Sequence, residues 1–195
     1  MVSDHPARYG ALLNVMGTIH RDLGNLDAAL DYFRRTEAYL TVTVYASFSL
    51  TSIAHIQLQQ GRTDEALETY REALQLNRKA SYVEGIALAC RALGEVLVAL
   101  ERPLEAVPFL REAATLFAQI EDRRDEALMW RRLAGAYEQL GLHAEARSVW
   151  TQLRDLHREH QALPGEADAV EEQLDFFNRP RLRRGVIFEE EKGGA

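Results

Sequence analysis

Four segments of the chain align on one pattern: LGNLDAAL at 23–30, QGRTDEAL at 60–67, ERPLEAV at 101–107 and LGLHAEAR at 140–147. Each segment carries an alanine near its end, and the alanines follow one another at intervals of 37, 40 and 40 residues. The aligned alanines are Ala29, Ala66, Ala106 and Ala146. Self-similarity at a fixed period is typical of solenoid proteins, in which each repeat stacks on its neighbours. The sequence therefore predicts four stacked repeats.

A second small residue lies twelve positions before each of these alanines. The small residues are Gly17, Ala54, Gly94 and Ala134. Two helices that cross at close approach need Gly or Ala at the crossing point and larger residues beside it. Larger apolar residues lie four positions after the alanines, one helical turn further on: Phe33, Tyr70, Leu110 and Trp150. This pattern predicts a helical hairpin in each repeat.

Turn residues divide each repeat into two helices. Gly24, Gly61 and Gly141 can adopt the left-handed conformation that ends a helix. In the third repeat Glu101 replaces the glycine, and Pro103 begins the next helix. We predict helix pairs at 6–23 with 26–39, 41–60 with 63–79, 82–100 with 103–120, and 123–140 with 143–160, followed by a capping helix near 166–177.

The repeated residues resemble the tetratricopeptide repeat across roughly residues 10–160. The fourth repeat matches the pattern of that family most completely, at Trp130, Leu133, Ala134, Tyr137, Gly141, Ala146 and Trp150. The resemblance implies an all-α, right-handed superhelical solenoid of antiparallel helix pairs, with a repeat domain at 1–178. The period is about 40 residues rather than about 34. Long periods of this kind are similar to those of bacterial regulators, including maltose-activator-type and peptide-sensing proteins, and of spindle-orientation adaptors.

The resemblance also implies a function, because the first helices of such repeats line a concave groove that binds proteins or peptides. The candidate groove residues are Asn14, Thr18, Arg21, Thr51, His55, Arg91, Glu95, Arg131 and Glu138. Family members that bind a peptide C-terminus hold its carboxylate with Lys, Asn and Arg, and here Asn14, Arg91 and Arg131 match in character. An acidic or C-terminal peptide is therefore one expected ligand. The alternative is that Arg91 pairs with Glu95 on its own helix, as exposed faces do.

A second function remains open at this point, namely a sensor or oligomerisation module of a larger regulator. The charged C-terminal segment 179–195, RPRLRRGVIFEEEKGGA, fits either a disordered tail or a tail used in self-association. Three aromatic residues outside the repeat pattern, Tyr45, Phe48 and Tyr82, could anchor a ligand side chain. Filling of the core is the interpretation that the sequence favours for them.

Composition excludes several classes of function. The chain has 23 basic and 30 acidic residues and a net charge of -7, which opposes attraction to nucleic acid. Cys90 is the single cysteine, so we expect neither an intrachain disulfide nor a multi-cysteine zinc site, and a cytoplasmic location. The uncharged stretch 38–61 is too polar for a membrane span and is predicted to be a largely buried helix.

Candidate chemistry is sparse. His157 and His160 lie three residues apart on one helix and could both reach a metal, but no second ligand pair accompanies them, so no metal site is expected. Cys90 falls at a repeat position that usually holds an apolar residue and is predicted to be buried and unreactive. No nucleotide-binding, serine-hydrolase or zinc-protease motif occurs. The sequence therefore predicts a non-enzymatic scaffold without a cofactor.

Overall fold

The computed structural model of the protein describes residues 5–37, 43–160 and 166–178. Within these residues the fold is all-α. The helices are α1 His5–Asp22, α2 Leu26–Glu37, α3 Thr43–Gln59, α4 Thr63–Lys79, α5 Val83–Ala99, α6 Pro103–Gln119, α7 Arg123–Gln139, α8 His143–His160 and α9 Glu166–Asn178. Every predicted helix is present, and each end lies within two residues of its predicted position.

The helices pack in chain order as consecutive antiparallel pairs. The pairs α1 with α2, α3 with α4, α5 with α6 and α7 with α8 form the four repeats, and each repeat stacks on the next. The second helix of one repeat contacts the first helix of the following repeat, and successive first helices also touch one another. Because each repeat contacts only its neighbours, the core extends along the stack rather than gathering at one centre. One buried cluster joins α2 to α3, and a second extends from α3 to α9.

The predicted crossing points explain the close packing inside each pair. The four aligned alanines are fully buried. A β-carbon built on Gly17 would lie 2.8 Å from a ring carbon of Phe33, and one built on Gly94 would lie 2.6 Å from a methyl carbon of Leu110. Phe33 and Leu110 therefore pack directly over the small residue of the facing helix, as the hairpin pattern predicts.

The turns within the repeats have the backbone conformation that the sequence predicts. Gly61 has a φ of 76°, and its amide donates a hydrogen bond to the carbonyl oxygen of Leu58. Glu101 takes the same role without being glycine, with a φ of 57° and an equivalent bond to the carbonyl oxygen of Val98. The third repeat thus keeps the geometry of the turn and places a side chain in a conformation that favours glycine.

The C-terminal end of the stack is covered by α9. Val170 and Leu174 of α9 are buried, and Arg158 of α8 forms an ion pair of 2.8 Å with Glu171. The predicted boundary at 178 stays a prediction, because the segment 179–195 lies outside the described residues. No helix in the described part of the chain is long and apolar enough to cross a membrane, and α3 carries the buried residues Ile53 and Ile56.

Candidate peptide-binding groove

Two adjoining clefts lie between α1 and α3, the first helices of repeats one and two. The first, here called the apolar cleft, has a volume of about 440 Å³. It is lined by Asn14, Val15, Thr18, Ile19 and Arg21 of α1 and by Phe48 of α3. The second, here called the polar cleft, has a volume of about 480 Å³. Arg21 and Asp22 of α1 and Thr51, Ser52, His55 and Gln59 of α3 line it.

These clefts bring together five of the nine predicted groove residues: Asn14, Thr18, Arg21, Thr51 and His55. Arg21 and Ser52 line both clefts, so the two form one continuous depression along the helices. The other four predicted residues, Arg91, Glu95, Arg131 and Glu138, lie on α5 and α7 and do not line either cleft.

Several of the polar groups in the clefts already have partners inside the protein. The hydroxyl of Thr18 donates to the carbonyl oxygen of Asn14 at 3.0 Å, and that of Thr51 donates to the carbonyl oxygen of Ser47 at 2.8 Å. Arg21 forms an ion pair of 2.9 Å with the neighbouring Asp22. Asn14 is half-buried in the apolar cleft, and no side-chain hydrogen bond of its amide is seen among the described residues.

His55 connects the groove to the core of the second repeat. Its Nδ1 lies 3.3 Å from the hydroxyl oxygen of Tyr70, and the Tyr70 side chain is buried. Burial raises the pKa of Tyr70 to about 12, with a smaller contribution from the Glu95 carboxylate. Tyr70 therefore keeps its proton at neutral pH, and its contact with the exposed His55 fixes one edge of the imidazole ring.

The structure changes the interpretation of Arg91. Its guanidinium donates a hydrogen bond to Asp125 on α7, and its Cζ lies 5.9 Å from the centre of the Phe117 ring. The partner of Arg91 in the structure is thus Asp125 and not Glu95, the partner that the sequence suggested as the alternative. This ion pair joins α5 and α7, two successive first helices.

In the fourth repeat the predicted groove residue Glu138 also contacts a neighbouring helix. The indole nitrogen of Trp150 donates to a carboxylate oxygen of Glu138 at 2.6 Å, which ties α7 to α8. Arg131 is half-buried on the same helix. The predicted groove residues Arg91 of α5 and Glu138 of α7 therefore make helix-to-helix contacts, as His55 of α3 does with Tyr70.

Sequence reasoning missed the apolar part of the site. Val15 and Ile19 line the apolar cleft although no repeat position marked them as functional. Phe48, predicted to fill the core, is instead 41% exposed and lines the cleft, with its ring 6.3 Å from that of Tyr82. The interpretation as core filling is therefore wrong for Phe48. The side chain of Tyr45 lies outside those described.

The chemical candidates take no part in the groove. Cys90 is buried, as predicted, and burial raises the pKa of its thiol to about 12. His157 is buried on α8, and the side chain of His160 lies outside the described set. No group of histidine, cysteine, aspartate and glutamate side chains suited to a metal ion occurs among the described residues.

A further cleft of about 620 Å³ lies along α4, with Glu65, Glu68, Arg71 and Arg102 in its lining. Its charged groups pair with close neighbours: Arg71 with Glu68 at 2.6 Å, and Arg102 with Glu105 at 2.7 Å. Exposed pairs of this kind contribute little energy, and none of the nine predicted groove residues lines this cleft. The clefts between α1 and α3 bring five of them together and are therefore the better candidate site.

Stacked antiparallel helix pairs with an open cleft between their first helices define a helical-repeat scaffold, a typically non-catalytic class of protein. Two models of the tetratricopeptide repeat match the chain, at residues 45–119 and 10–36. The chain belongs to the tetratricopeptide repeat family. Domains of this family generally bind proteins or peptides. No curated protein sequence matches the chain.

Several solved structures have the same fold. BtubC (BKLC) from P. vanneervenii has a TM-score of 0.70 and 19% identity, over 88% of this chain and 74% of that protein. A putative kinesin light chain repeat protein of Podosopora anserina has a TM-score of 0.68 and 18% identity, over 90% and 87%. Aspartyl phosphate phosphatase F from Bacillus subtilis has a TM-score of 0.69 and 11% identity, over 91% of this chain and 51% of the phosphatase. These similarities show the superhelical fold.

Proposed function

We propose that the protein is a scaffold that binds a peptide segment of a partner protein in the groove formed by α1 and α3. The observation that supports this function best is the convergence of Asn14, Thr18, Arg21, Thr51 and His55 on two adjoining clefts. Asn14 and Thr18 of the first repeat are equivalent to Thr51 and His55 of the second, as expected for a groove that runs along the first helices.

The lining of the clefts defines the chemistry of the ligand. One anchoring side chain of the peptide can pack against the apolar residues Val15, Ile19 and Phe48. Exposed aromatic residues such as Phe48 often contribute much of the binding energy of an interface. Asn14 and Gln59 offer amide groups that can bond to the peptide backbone. The ligand expected here is a peptide with an apolar anchor flanked by polar residues.

The structure gives less support for an acidic ligand than the sequence does. Arg21 is paired with Asp22, and Arg91 is paired with Asp125. Affinity should therefore depend more on the apolar anchor than on the charge of the peptide.

The test is a selection of peptides from a random library of about 12 residues, a length that spans the clefts when extended, with the full 195-residue chain. Affinities are then measured by fluorescence anisotropy. Phe48→Ala should weaken binding about 30-fold, as expected when truncation of a hot-spot aromatic residue removes about 2 kcal/mol. Asn14→Ala should weaken it about fivefold through loss of a hydrogen bond.

The matched control is Leu104→Ala, because Leu104 is a more exposed apolar residue, at 71%, and lies at the start of α6, away from both clefts. This control should leave affinity unchanged. Selected peptides that bind equally well to wild type and to Phe48→Ala would place the binding surface elsewhere and would contradict the proposed groove.

A module of a larger regulator is a second candidate function. It is supported by the similarity to aspartyl phosphate phosphatase F, of which this chain spans about half, at 51%. A sensor of this kind should change its self-association when a ligand binds, whereas a simple scaffold should not. Sedimentation of the chain with and without a selected peptide distinguishes the two.

A further inference from the structure

The segment 179–195 combines charged residues with a short apolar run. The run, VIF at 186–188, follows the basic stretch RPRLRR and precedes three glutamates. The segment lies outside the described residues. An apolar anchor flanked by polar residues is the ligand that the clefts between α1 and α3 are proposed to bind. The chain therefore carries a segment with the chemistry of that ligand.

Net charge favours contact between this segment and the repeat domain. The segment has five basic and three acidic residues, a net charge of +2, whereas residues 1–178 have 18 basic and 27 acidic residues, a net charge of -9. Opposite net charges attract over about 8–10 Å at physiological salt. This attraction is a property of the whole repeat domain and does not depend on any one unpaired side chain. It raises the rate of encounter, while the apolar run decides where the segment binds.

The apolar cleft between α1 and α3 suits the run at 186–188. Its volume of about 440 Å³ lies within the range of about 300–1,000 Å³ that is usual for ligand sites. Its apolar lining consists of Val15, Ile19 and Phe48. Arg21 and Asp22, which line the polar cleft beside it, pair with each other. Apolar side chains can therefore bind in the cleft while the flanking arginines and glutamates of the segment stay in water.

The length of chain after α9 favours the cleft of a second copy. Helix α9 covers the C-terminal end of the stack, and the clefts lie at the other end. Val186 follows Asn178 by eight positions. Eight residues span about 26–29 Å when fully extended and about 14–17 Å as a flexible chain. From α9 past α7 and α5 to α3 there are three steps of at least about 8–10 Å, or about 24–30 Å in all. The run thus reaches its own cleft only at full extension, a restriction that the cleft of a second copy does not impose.

We propose that the apolar run of one copy binds in the apolar cleft of a second copy, so that the protein self-associates through the segment 179–195. This inference rests on the proposed function, because it assigns a ligand to the same clefts. Each copy offers one segment and one cleft at opposite ends of the stack, so the contact is heterologous. A peptide that displaces the segment lowers self-association, which joins the groove to the ligand response of the second candidate function.

The first test is sedimentation velocity of the full 195-residue chain at concentrations from about 1 to about 300 μM, which include the micromolar affinity expected of a small interface. Wild type should associate as the concentration rises. Phe188→Ala removes the largest side chain of the run and should weaken association about 30-fold, as should Phe48→Ala in the cleft. Leu182→Ala is the matched control, because Leu182 is an apolar residue of the same segment outside the run. It should associate as wild type does, and circular dichroism should show the same helix content in all variants.

A mixture of two variants tests whether the contact joins two copies. Phe188→Ala keeps an intact cleft, and Phe48→Ala keeps an intact segment. An equimolar mixture should recover association to within about threefold of wild type, although each variant alone associates weakly. A mixture that fails to recover association, or a wild-type chain that stays monomeric at every concentration, would overturn the proposal.

A synthetic peptide of residues 179–195 separates apolar binding from attraction by charge. In fluorescence anisotropy it should bind the Phe188→Ala chain at least about tenfold more tightly than a scrambled peptide of the same composition does. Equal binding of the two peptides would show attraction by charge alone and would refute the role of the run. This result is distinguishable from failure of the proposed function, because library peptides that lose affinity for Phe48→Ala support the groove whether or not residues 179–195 bind there.

Discussion

The pair formed by Arg91 and Asp125 separates a structural role from a ligand-binding role. The side chains of the two residues are 32% and 20% exposed, so the ion pair is partly shielded from water. A partly exposed charged hydrogen bond contributes about 1 kcal/mol, less than the value for a buried one. The contact of Arg91 with the Phe117 ring adds about 0.5–1 kcal/mol. Arg91→Ala should therefore lower the free energy of unfolding by about 1.5–2 kcal/mol.

The assay is urea denaturation followed by circular dichroism, applied to a double-mutant cycle of Arg91→Ala and Asp125→Ala. The cycle should give a coupling energy of about 1 kcal/mol. Arg147→Ala is the control, because Arg147 is exposed on α8, and it should change stability by less than about 0.5 kcal/mol. The same variants are then tested for binding of a selected peptide. An Arg91→Ala variant that keeps its stability but loses peptide affinity tenfold would show that Arg91 contacts the ligand and that the structural role is wrong.

Two further predictions concern backbone conformation and ionisation. Glu101→Gly should raise the melting temperature by about 2–4 °C, because it removes roughly 1 kcal/mol of left-handed strain. Gly61→Ala should lower the melting temperature by a similar amount. The cause is the backbone conformation alone, since nothing lies within 4 Å of the added β-carbon. Thermal scans that give both variants the melting temperature of wild type would refute these two predictions. Burial raises the pKa of Cys90 from 9.0 to about 12 and that of Tyr70 from 10.0 to about 12, so deprotonation favours the unfolded chain. The free energy of unfolding should keep its full value below about pH 9 and should fall as the pH rises toward about 12. The midpoint of urea denaturation, measured across this pH range, should show the loss. Cys90→Ala should reduce the loss.

Much of the helical architecture could be predicted because its determinants are local. Helix ends depend on residues such as Gly61 and Pro103, which constrain the backbone where they stand. The pairing of helices depends on small residues at fixed spacing, and Gly94 shows why, since any larger residue there would meet Leu110. The turn residues and the small residues at the helix crossings recur four times along the chain. Each copy supports the same interpretation, so the fold could be predicted with helix ends correct to within two residues.

The candidate site could be predicted only in part. The alignment identified the positions on the first helices that face a groove, and five of those residues, including Asn14 and His55, do line the clefts. It missed Val15 and Ile19, and core filling was favoured for Phe48 over the role of a ligand anchor, because an apolar residue on an amphipathic helix gives the same signal whether it is buried or exposed. Spacing along one helix cannot distinguish these two cases.

The sequence by itself determined the repeat, the helices and the positions at which helices cross. Only the tertiary structure decided which groups are free to bind and which are already paired. Arg91 lies one turn from Glu95 in the sequence, yet its partner is Asp125, 34 residues away on the next first helix. Leu12 is exposed while its equivalent Met129 is buried, because α6 packs against α7, whereas no described helix packs in the same way against α1. In both cases the neighbouring helix decides the result. It supplies the ion-pair partner of a long charged side chain, and it determines whether an apolar side chain is buried.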